Sequence, residues 1–216
     1  MAAATGVALL SGGLDSGVAA ALFAQAGNRL VGALFCDYGQ RAARREAAAA
    51  AALAARLHVP LQTVPLPWLS ALAVQSGCRL VPGSGELPHG TIAQPGDAAS
   101  ARAVWVPARN AVFVAMAAAF AETAGAACIV AGFNREEAAT FPDNSAAFLA
   151  AGSAFLAYGT RSQVRVVSPT LELDKAGIVA AAQRLGFGAN DFWSCYEGGE
   201  VPCGRCESCL RSRWNR

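Results

Sequence analysis

The amino-acid sequence predicts an α/β fold with a mainly parallel sheet. Short apolar runs of strand length alternate with longer, alanine-rich segments of helical length along most of the chain. Glycine or proline stands at several of the boundaries between them. The 216 residues are enough for one domain with a full hydrophobic core. We therefore expect a main domain over residues 1–190 and a short tail over residues 191–216.

The predicted strands are short and apolar, as expected for strands that are buried on both faces of a sheet. The first, Gly6–Leu10, is apolar throughout. The third contains Pro65, which indicates an edge strand or the end of a strand. The full set of predicted strands is 6–10, 30–35, 61–66, 127–131 and 164–167.

The predicted helices are rich in alanine, a strong helix former. Gly27 ends the first of them, and Pro60 follows the end of the second. The apolar run Ala111–Ala121 fits a buried helix. The predicted helices are 16–26, 41–57, 111–123 and 145–158, and one that follows Pro169–Asp174 and ends near Gly186.

Residues 76–100 are rich in glycine, proline and serine and have no sustained periodicity. Loops of this length inside a compact domain are uncommon, and many of them are lids. We interpret this segment as a mobile flap; an insertion without a role is the alternative.

Charge and hydropathy limit the partners that the chain can have. A net charge of +2 is too small by itself to indicate nucleic-acid binding, and none that is stable is expected. The basic stretches Arg41–Arg45 and Arg211–Arg216 are typical of solvated faces. No apolar run reaches the ~18 residues of a membrane span, and no signal-like segment precedes the first strand. We expect no membrane association and a cytoplasmic location.

The stretch Ser11-Gly-Gly-Leu-Asp-Ser16 directly follows the first strand and precedes a helix. Its glycines can expose backbone N–H groups, and the helix adds the positive end of its dipole. Together with the hydroxyls of Ser11 and Ser16, these groups suit a phosphate or pyrophosphate. Asp15 would repel such an anion, so it either fixes the loop or holds Mg²⁺ against it. The Walker A lysine and the G-x-G-x-x-G spacing are both absent.

Other polar motifs stand where predicted strands end or predicted helices begin. They are Asp37-Tyr-Gly-Gln-Arg41, Val106-Pro-Ala-Arg-Asn110 and the segment that includes Asn134. In open parallel sheets, ligands bind outside the carboxyl ends of the strands. We therefore expect these motifs to converge with the glycine loop on one edge of the sheet.

The tail contains four cysteines in the pattern Cys195-x₇-Cys203-x₂-Cys206-x₂-Cys209. In a reducing compartment, such a cluster indicates a metal site rather than disulfides. Four thiolates suit a closed, structural Zn²⁺ site, and an iron–sulfur cluster is the main alternative. His58 and His89 are distant in sequence and are not expected to be ligands.

The glycine loop after a hydrophobic strand resembles the pyrophosphate loop of the ATP pyrophosphatases. That resemblance implies a Rossmann-like, doubly wound parallel sheet of the adenine nucleotide alpha hydrolase type. It also implies that ATP is split between its α and β phosphates. AMP is then transferred to an oxygen of the substrate, and the loop holds the departing pyrophosphate.

The loop, the two motifs above, Phe141-Pro-Asp143 and the cysteine tail occur in one order that resembles the 7-cyano-7-deazaguanine synthases of queuosine biosynthesis. This resemblance implies an ATP-dependent ligase that acts on 7-carboxy-7-deazaguanine and ammonia, and a homodimer. Mg²⁺ is expected to accompany ATP, and zinc is the metal expected in the tail. Ala42 and Asn144 depart from the residues that are common in the family. A related enzyme that adenylates another carboxylate, such as a peptide or protein terminus, therefore stays an alternative, as does a tRNA-modifying enzyme.

A substrate carboxylate and a triphosphate repel each other, so cations must offset the repulsion. Arg41, Arg109 and Lys175 are the candidates, although each could be a surface charge. The candidate catalytic residues are Ser11, Asp15, Ser16, Arg109 and Lys175. The candidates for binding nucleotide and substrate are Leu10, Ser11, Gly12, Gly13, Leu14, Asp15, Ser16, Asp37, Arg41, Asn110, Asn134 and Asp143. The side-chain amides of Asn110, Asn134 and Asn144 could form hydrogen bonds with a purine-like edge, or they could cap helices and turns.

Overall fold

A computed structural model describes residues 3–88 and 98–212 of the chain. Its centre is a five-stranded sheet with the strand order β3-β2-β1-β4-β5, and all neighbouring strands are parallel. The predicted α/β fold with a parallel sheet is confirmed. The strands are β1 (Thr5–Leu9), β2 (Arg29–Asp37), β3 (Leu61–Pro65), β4 (Cys128–Val130) and β5 (Arg165–Val167).

Helices cover both faces of the sheet because successive side chains of each strand point to opposite faces. Ala8 of β1 belongs to the core layer shared with α1, α2 and α8, whereas Val7 belongs to the layer shared with α5 and α7. The helices are α1 (Leu14–Gln25), α2 (Ala43–Arg56), α3 (Pro67–Gln75), α4 (Ala98–Ala103), α5 (Arg109–Thr123), α6 (Arg135–Ala138), α7 (Ala146–Gly159), α8 (Lys175–Arg184) and α9 (Glu207–Arg211). Among the described residues, no helix combines the length and the apolar character that a membrane span needs.

The sequence reasoning missed α3, α4 and the short helices α6 and α9. Pro67 stands at the first position of α3, where its missing N–H costs nothing and its fixed φ suits the helix. The signal was present as a proline before an apolar run, but the run is too short to show helical periodicity. Helix α4 begins inside the segment that was interpreted as a flap.

The larger described part of that segment, residues 76–88, is packed against the body of the protein. Cys78 and Val81 are fully buried in a third core cluster that also contains Leu69 of α3. The backbone N–H of Arg79 donates to the carbonyl of Ala103 at 2.6 Å. Residues 89–97 lie outside the described residues, and the movement of a flap stays a prediction. The division of the chain at residue 190 also stays a prediction.

Candidate functional site

The glycine loop after β1 is a tight turn held by its own serines. The Ser16 hydroxyl accepts from the backbone N–H of Ser11 at 3.1 Å and lies 2.9 Å from the Ser11 hydroxyl. The Gly13 N–H points to the Ser11 hydroxyl at 3.3 Å. Gly12 has φ of +81°, and a Cβ there would lie 2.3 Å from the carbonyl oxygen of Glu46 on α2. Only glycine fits this position, both by conformation and by space.

The two leucines that flank the loop do not present side chains to a ligand. Leu10 is 1% exposed and belongs to the core layer beside α1, and Leu14 packs against the same layer. These two residues can therefore contribute only backbone groups to a bound anion.

The end of β4 lies directly against the start of α1. A Cβ on Gly132 would lie 2.5 Å from the backbone nitrogen of Ser16. This close approach brings the β4–α6 connection, with Asn134, to the glycine loop. The expected convergence at the carboxyl edge of the sheet therefore has a steric basis, because glycine at this position lets the two backbones meet.

Asp15 and Lys175 form an ion pair at the loop, with 2.5 Å between Oδ2 and Nζ. Lys175 Nζ also lies 3.1 Å from Oε1 of Glu137 on α6. Burial acts to lower the pKa of Lys175, but the two carboxylates outweigh it and raise that pKa above its usual value. Lys175 thus stays a cation between two acidic groups. It is the only lysine among the 17 basic side chains of the chain, the rest being arginines.

Two buried polar atoms beside the loop have no hydrogen-bond partner among the described residues. They are Oδ1 of Asp15 and Nδ2 of Asn134. Asn134 is fully buried, and its Oδ1 caps α6 by accepting from the N–H of Glu137 at 2.9 Å. Because an unpaired buried polar atom costs free energy, these two atoms mark a place where a ligand would complete the bonding.

Arg109 is the first residue of α5 and contacts a second group of polar side chains. Its guanidinium donates to the hydroxyl of Tyr38 at 3.0 Å and lies near Asp143. Asn110 donates to the carbonyl of Asp143, and Asn144 donates to its carboxylate at 3.1 Å. Burial raises the pKa of Asp143, although Arg109 acts in the opposite direction.

Arg41 and Asp37 make their contacts elsewhere. The guanidinium of Arg41 donates to the carbonyls of Arg79 and Gly85, which fastens the 76–88 segment. Asp37 accepts from the N–H of Gly39 at 3.0 Å and closes the turn after β2. The structure therefore does not group these two side chains with the glycine loop.

The four tail cysteines form one cluster. The Sγ atoms of Cys195, Cys203, Cys206 and Cys209 all lie within 4.8 Å of one another, and the Sγ atoms of Cys203 and Cys209 are 3.9 Å apart. Four thiols at these distances could hold a metal ion. The other three cysteines, Cys36, Cys78 and Cys128, are buried in the body of the protein.

The start of the tail packs against the glycine loop and against α2. The backbone N–H of Trp193 donates to the carbonyl of Gly12 at 2.9 Å. A Cβ on Gly198 would lie 2.5 Å from the carbonyl oxygen of Arg41. Tyr196 packs against the third core cluster, and burial raises the pKa of its hydroxyl.

Three residues of this site were missed by the sequence reasoning. An acidic pair just after Asn134 could have drawn attention to Glu137, since it follows a predicted strand end. Trp193 and Tyr196 carried no signal beyond their closeness in sequence to Cys195. Their role depends on where the tail docks, which spacing does not reveal.

The sheet order, the layers on both faces and the glycine loop at the carboxyl edge define a Rossmann-like, doubly wound α/β protein. Two solved structures share the fold. An NMN synthetase from Francisella tularensis has a TM-score of 0.50 and 16% sequence identity, and the match covers 92% of this chain and 69% of that chain. The U34-tRNA thiolase NcsA from Methanococcus maripaludis with its [4Fe-4S] cluster has a TM-score of 0.52 and 14% identity, and the match covers 86% of this chain and 58% of that chain.

Sequence comparison gives a narrower assignment. The family described as "Queuosine biosynthesis protein QueC" matches residues 5–214, and the chain belongs to that family. A 7-cyano-7-deazaguanine synthase of Desulforudis audaxviator is 49% identical over 95% of this chain and 93% of its own length. The synthase of Pelotomaculum thermopropionicum is 46% identical over the same shares, and that of Methanothermobacter thermautotrophicus is 40% identical over 96% and 91%. The resemblance stated from the motifs is confirmed.

Proposed function

We propose that the chain is an ATP-dependent ligase that converts 7-carboxy-7-deazaguanine and ammonia to 7-cyano-7-deazaguanine, as the names of its relatives indicate. The observation that carries the proposal is the Ser11–Ser16 loop at the carboxyl edge of the sheet, in a chain that belongs to this family over nearly all its length.

The chemistry consists of two adenylations. The substrate carboxylate attacks the α-phosphorus of ATP and releases pyrophosphate, and ammonia then displaces AMP to give the amide. The amide oxygen is adenylated by a second ATP, and loss of AMP and a proton leaves the nitrile. AMP is needed because oxide and hydroxide are poor leaving groups.

The residues of the site suit this chemistry through position and charge. Ser11, Ser16 and the Gly13 N–H would hold the pyrophosphate. Lys175 would stabilise the charge that develops on the phosphates, and Asp15 has a free carboxylate oxygen for the Mg²⁺ that accompanies ATP. Arg109, with Asn110, Asp143 and Asn144 beside it, would bind the deazapurine carboxylate.

Zinc is the proposed metal of the tail. A tetrahedral ion with Zn–S bonds of about 2.3 Å requires sulfurs roughly 3.8 Å apart, which matches the 3.9 Å between Cys203 and Cys209. The cysteines of a four-iron cluster bind different iron atoms, so the whole cluster separates their sulfurs. The tail sulfurs lie within 4.8 Å of one another, a spacing that supports zinc over such a cluster. Zinc would order a segment that has no core of its own.

Removal of the metal should expose four thiols and no more. With zinc bound, native protein should react slowly with a thiol-specific reagent such as DTNB at pH 8. A strong chelator should release four reactive thiols, because the tail loses the ion that orders it, whereas Cys36, Cys78 and Cys128 stay buried in core clusters that do not depend on the metal. Burial also raises the pKa of Cys36 to about 12 and suppresses its thiolate. The remaining three should react only in denaturant. Release of seven thiols by the chelator alone would contradict a local, structural site.

A turnover assay tests the proposed function. Purified, zinc-loaded protein is incubated with Mg-ATP, ammonium and 7-carboxy-7-deazaguanine, and AMP, pyrophosphate and the nitrile are followed by mass spectrometry. We expect two AMP for each nitrile formed. Absence of AMP above a control without the carboxylate would contradict the proposed substrate, and screens of peptide termini and of tRNA would then test the two alternatives. The homodimer, the source of ammonia and the cytoplasmic location stay predictions.

A further inference from the structure

We infer that the metal site in the tail and the anion-binding loop are energetically coupled, and that Trp193 is the positioning residue that couples them. Zinc in the cysteine cluster would raise the affinity of the loop for pyrophosphate. The inference rests on the proposed function, since it takes zinc as the metal and pyrophosphate as the anion.

The coupling starts at the peptide between Gly12 and Gly13. Because this peptide is trans, its carbonyl and its N–H point in opposite directions. Rotation of the peptide requires changes in ψ of Gly12 and φ of Gly13, and glycine resists neither change. A flip of this peptide would direct the Gly12 carbonyl oxygen into the loop in place of the Gly13 N–H. The carbonyl oxygen would then repel a bound anion.

The backbone N–H of Trp193 prevents this rotation. It donates to the Gly12 carbonyl at 2.9 Å and so holds the Gly13 N–H toward the hydroxyl of Ser11. The donor comes from the tail, about 180 residues further along the chain. The geometry of the anion loop therefore depends on how firmly the tail is docked.

Trp193 is tied in turn to the metal site. Its indole N–H donates to the carbonyl of Cys195 at 2.8 Å, and the Cys195 thiol lies in the cluster. On the other side, the guanidinium of Arg45 lies over the indole ring at 5.2 Å. Residues 192–205 form no helix or strand of their own. Loss of the metal would free Cys195 and, with it, the backbone of Trp193.

Thermodynamic linkage makes the coupling measurable from both sides. Calorimetric titration with Mg-pyrophosphate is compared between zinc-loaded protein and protein stripped by a chelator under a reductant. Magnesium does not replace zinc at thiolates, since it prefers oxygen ligands. We expect the Kd for pyrophosphate to be about 10-fold higher without zinc, within the usual range of such coupling. Competition with a chromogenic chelator should show that pyrophosphate strengthens zinc binding by the same factor.

The variant Trp193→Phe tests whether the coupling between the metal site and the loop passes through Trp193. This test does not require a stable metal-free protein. The variant keeps the backbone N–H and a ring beneath Arg45 but loses the indole N–H that reaches Cys195. In zinc-loaded protein it should raise the Kd for pyrophosphate by about 3- to 10-fold, toward the metal-free value. Trp68→Phe is the matched control, because Trp68 is half exposed on α3 and should leave this Kd unchanged.

The outcomes separate this inference from the proposed function. Equal pyrophosphate affinity with and without zinc, or an unchanged affinity in zinc-loaded Trp193→Phe, would overturn the coupling while leaving the proposed function intact. Absence of pyrophosphate binding in either form would contradict the role of the loop, and the inference would fall with it. Circular dichroism of each form checks that the sheet domain is folded.

Discussion

The variant Gly12→Ala is expected to lose at least 100-fold in kcat, a loss comparable to removing a preorganised anion-binding donor. An alanine Cβ would lie 2.3 Å from the carbonyl oxygen of Glu46, a backbone atom that cannot move without shifting α2. The φ of +81° adds strain for any residue with a side chain. Overlap and strain together should destabilise the fold by about 2–5 kcal/mol. Steady-state kinetics and urea unfolding measure the two effects.

Gly27→Ala is the matched control for this variant. Gly27 has nearly the same φ, +82°, but a Cβ there would have no atom within 4 Å. It should lower stability by only about 1 kcal/mol and leave turnover unchanged. If Gly12→Ala retained the kinetics of Gly27→Ala, the glycine loop would not be the anion-binding element.

The variant Lys175→Met is expected to lower both stability and activity. It leaves the carboxylates of Asp15 and Glu137 without their shared cation. Removal of one member of a buried pair costs about 3–5 kcal/mol. The side chains here are 16–25% exposed, so we expect about 2–4 kcal/mol at neutral pH. A fall of about 100-fold or more in kcat should accompany it, because the charge on the phosphates would no longer be stabilised.

The loss of stability in Lys175→Met should depend on pH. Burial already raises the pKa of Asp15, and removal of Lys175 would raise it further. A carboxyl whose pKa is raised on folding contributes stability at low pH that is lost as the pH rises through the folded value. The difference from the unmodified protein should therefore be largest near pH 8. It should shrink as the pH falls toward the ordinary aspartate value of about 3.9.

Two variants serve as controls for this prediction. Arg135→Met removes a cation from the same corner of the molecule, but its ion pair with Asp174 is exposed and should contribute at most about 1 kcal/mol. Lys175→Arg retains the charge, so it should recover most of the stability but less of the activity, because the guanidinium is larger and planar. A destabilisation by Lys175→Met no greater than that by Arg135→Met would contradict a structural role for the charge cluster.

Local patterns in the sequence were sufficient to predict a structural feature where that feature arises from residues adjacent in the chain. Ser11–Ser16 is such a case, because its glycines, serines and following helix are adjacent in the chain. The spacing of Cys195 to Cys209 is another, since four thiols within 15 residues can close around one ion. The strands β1, β2 and β4 were predicted because buried parallel strands are continuously apolar.

Long-range packing produced the features that were missed. Helix α3 is too short to show helical periodicity and residues 76–88 have a loop-like composition, yet both are ordered because they bury Leu69, Cys78 and Val81 in a common cluster. Arg41 was a candidate for binding the anion, but its guanidinium holds carbonyls of that segment. Whether the Arg41 guanidinium binds an anion or these carbonyl groups depends on where residues 79–85 lie, and no local sequence pattern specifies that position.

The sequence by itself determined the fold class, the family, the glycine loop and the cysteine cluster. The loop and the cluster follow from residues close together in the chain, whereas the fold class follows from the alternation of strands and helices and the family from the order of the motifs along the chain. Only the tertiary structure decided that Lys175 lies between Asp15 and Glu137, and that Trp193 holds the carbonyl of Gly12. These contacts join residues 38–181 positions apart, and they arise from the packing of β4, α6, α8 and the tail around the loop. The physical reason is that charge pairing and backbone anchoring act over a few ångströms in space, whatever the separation along the chain.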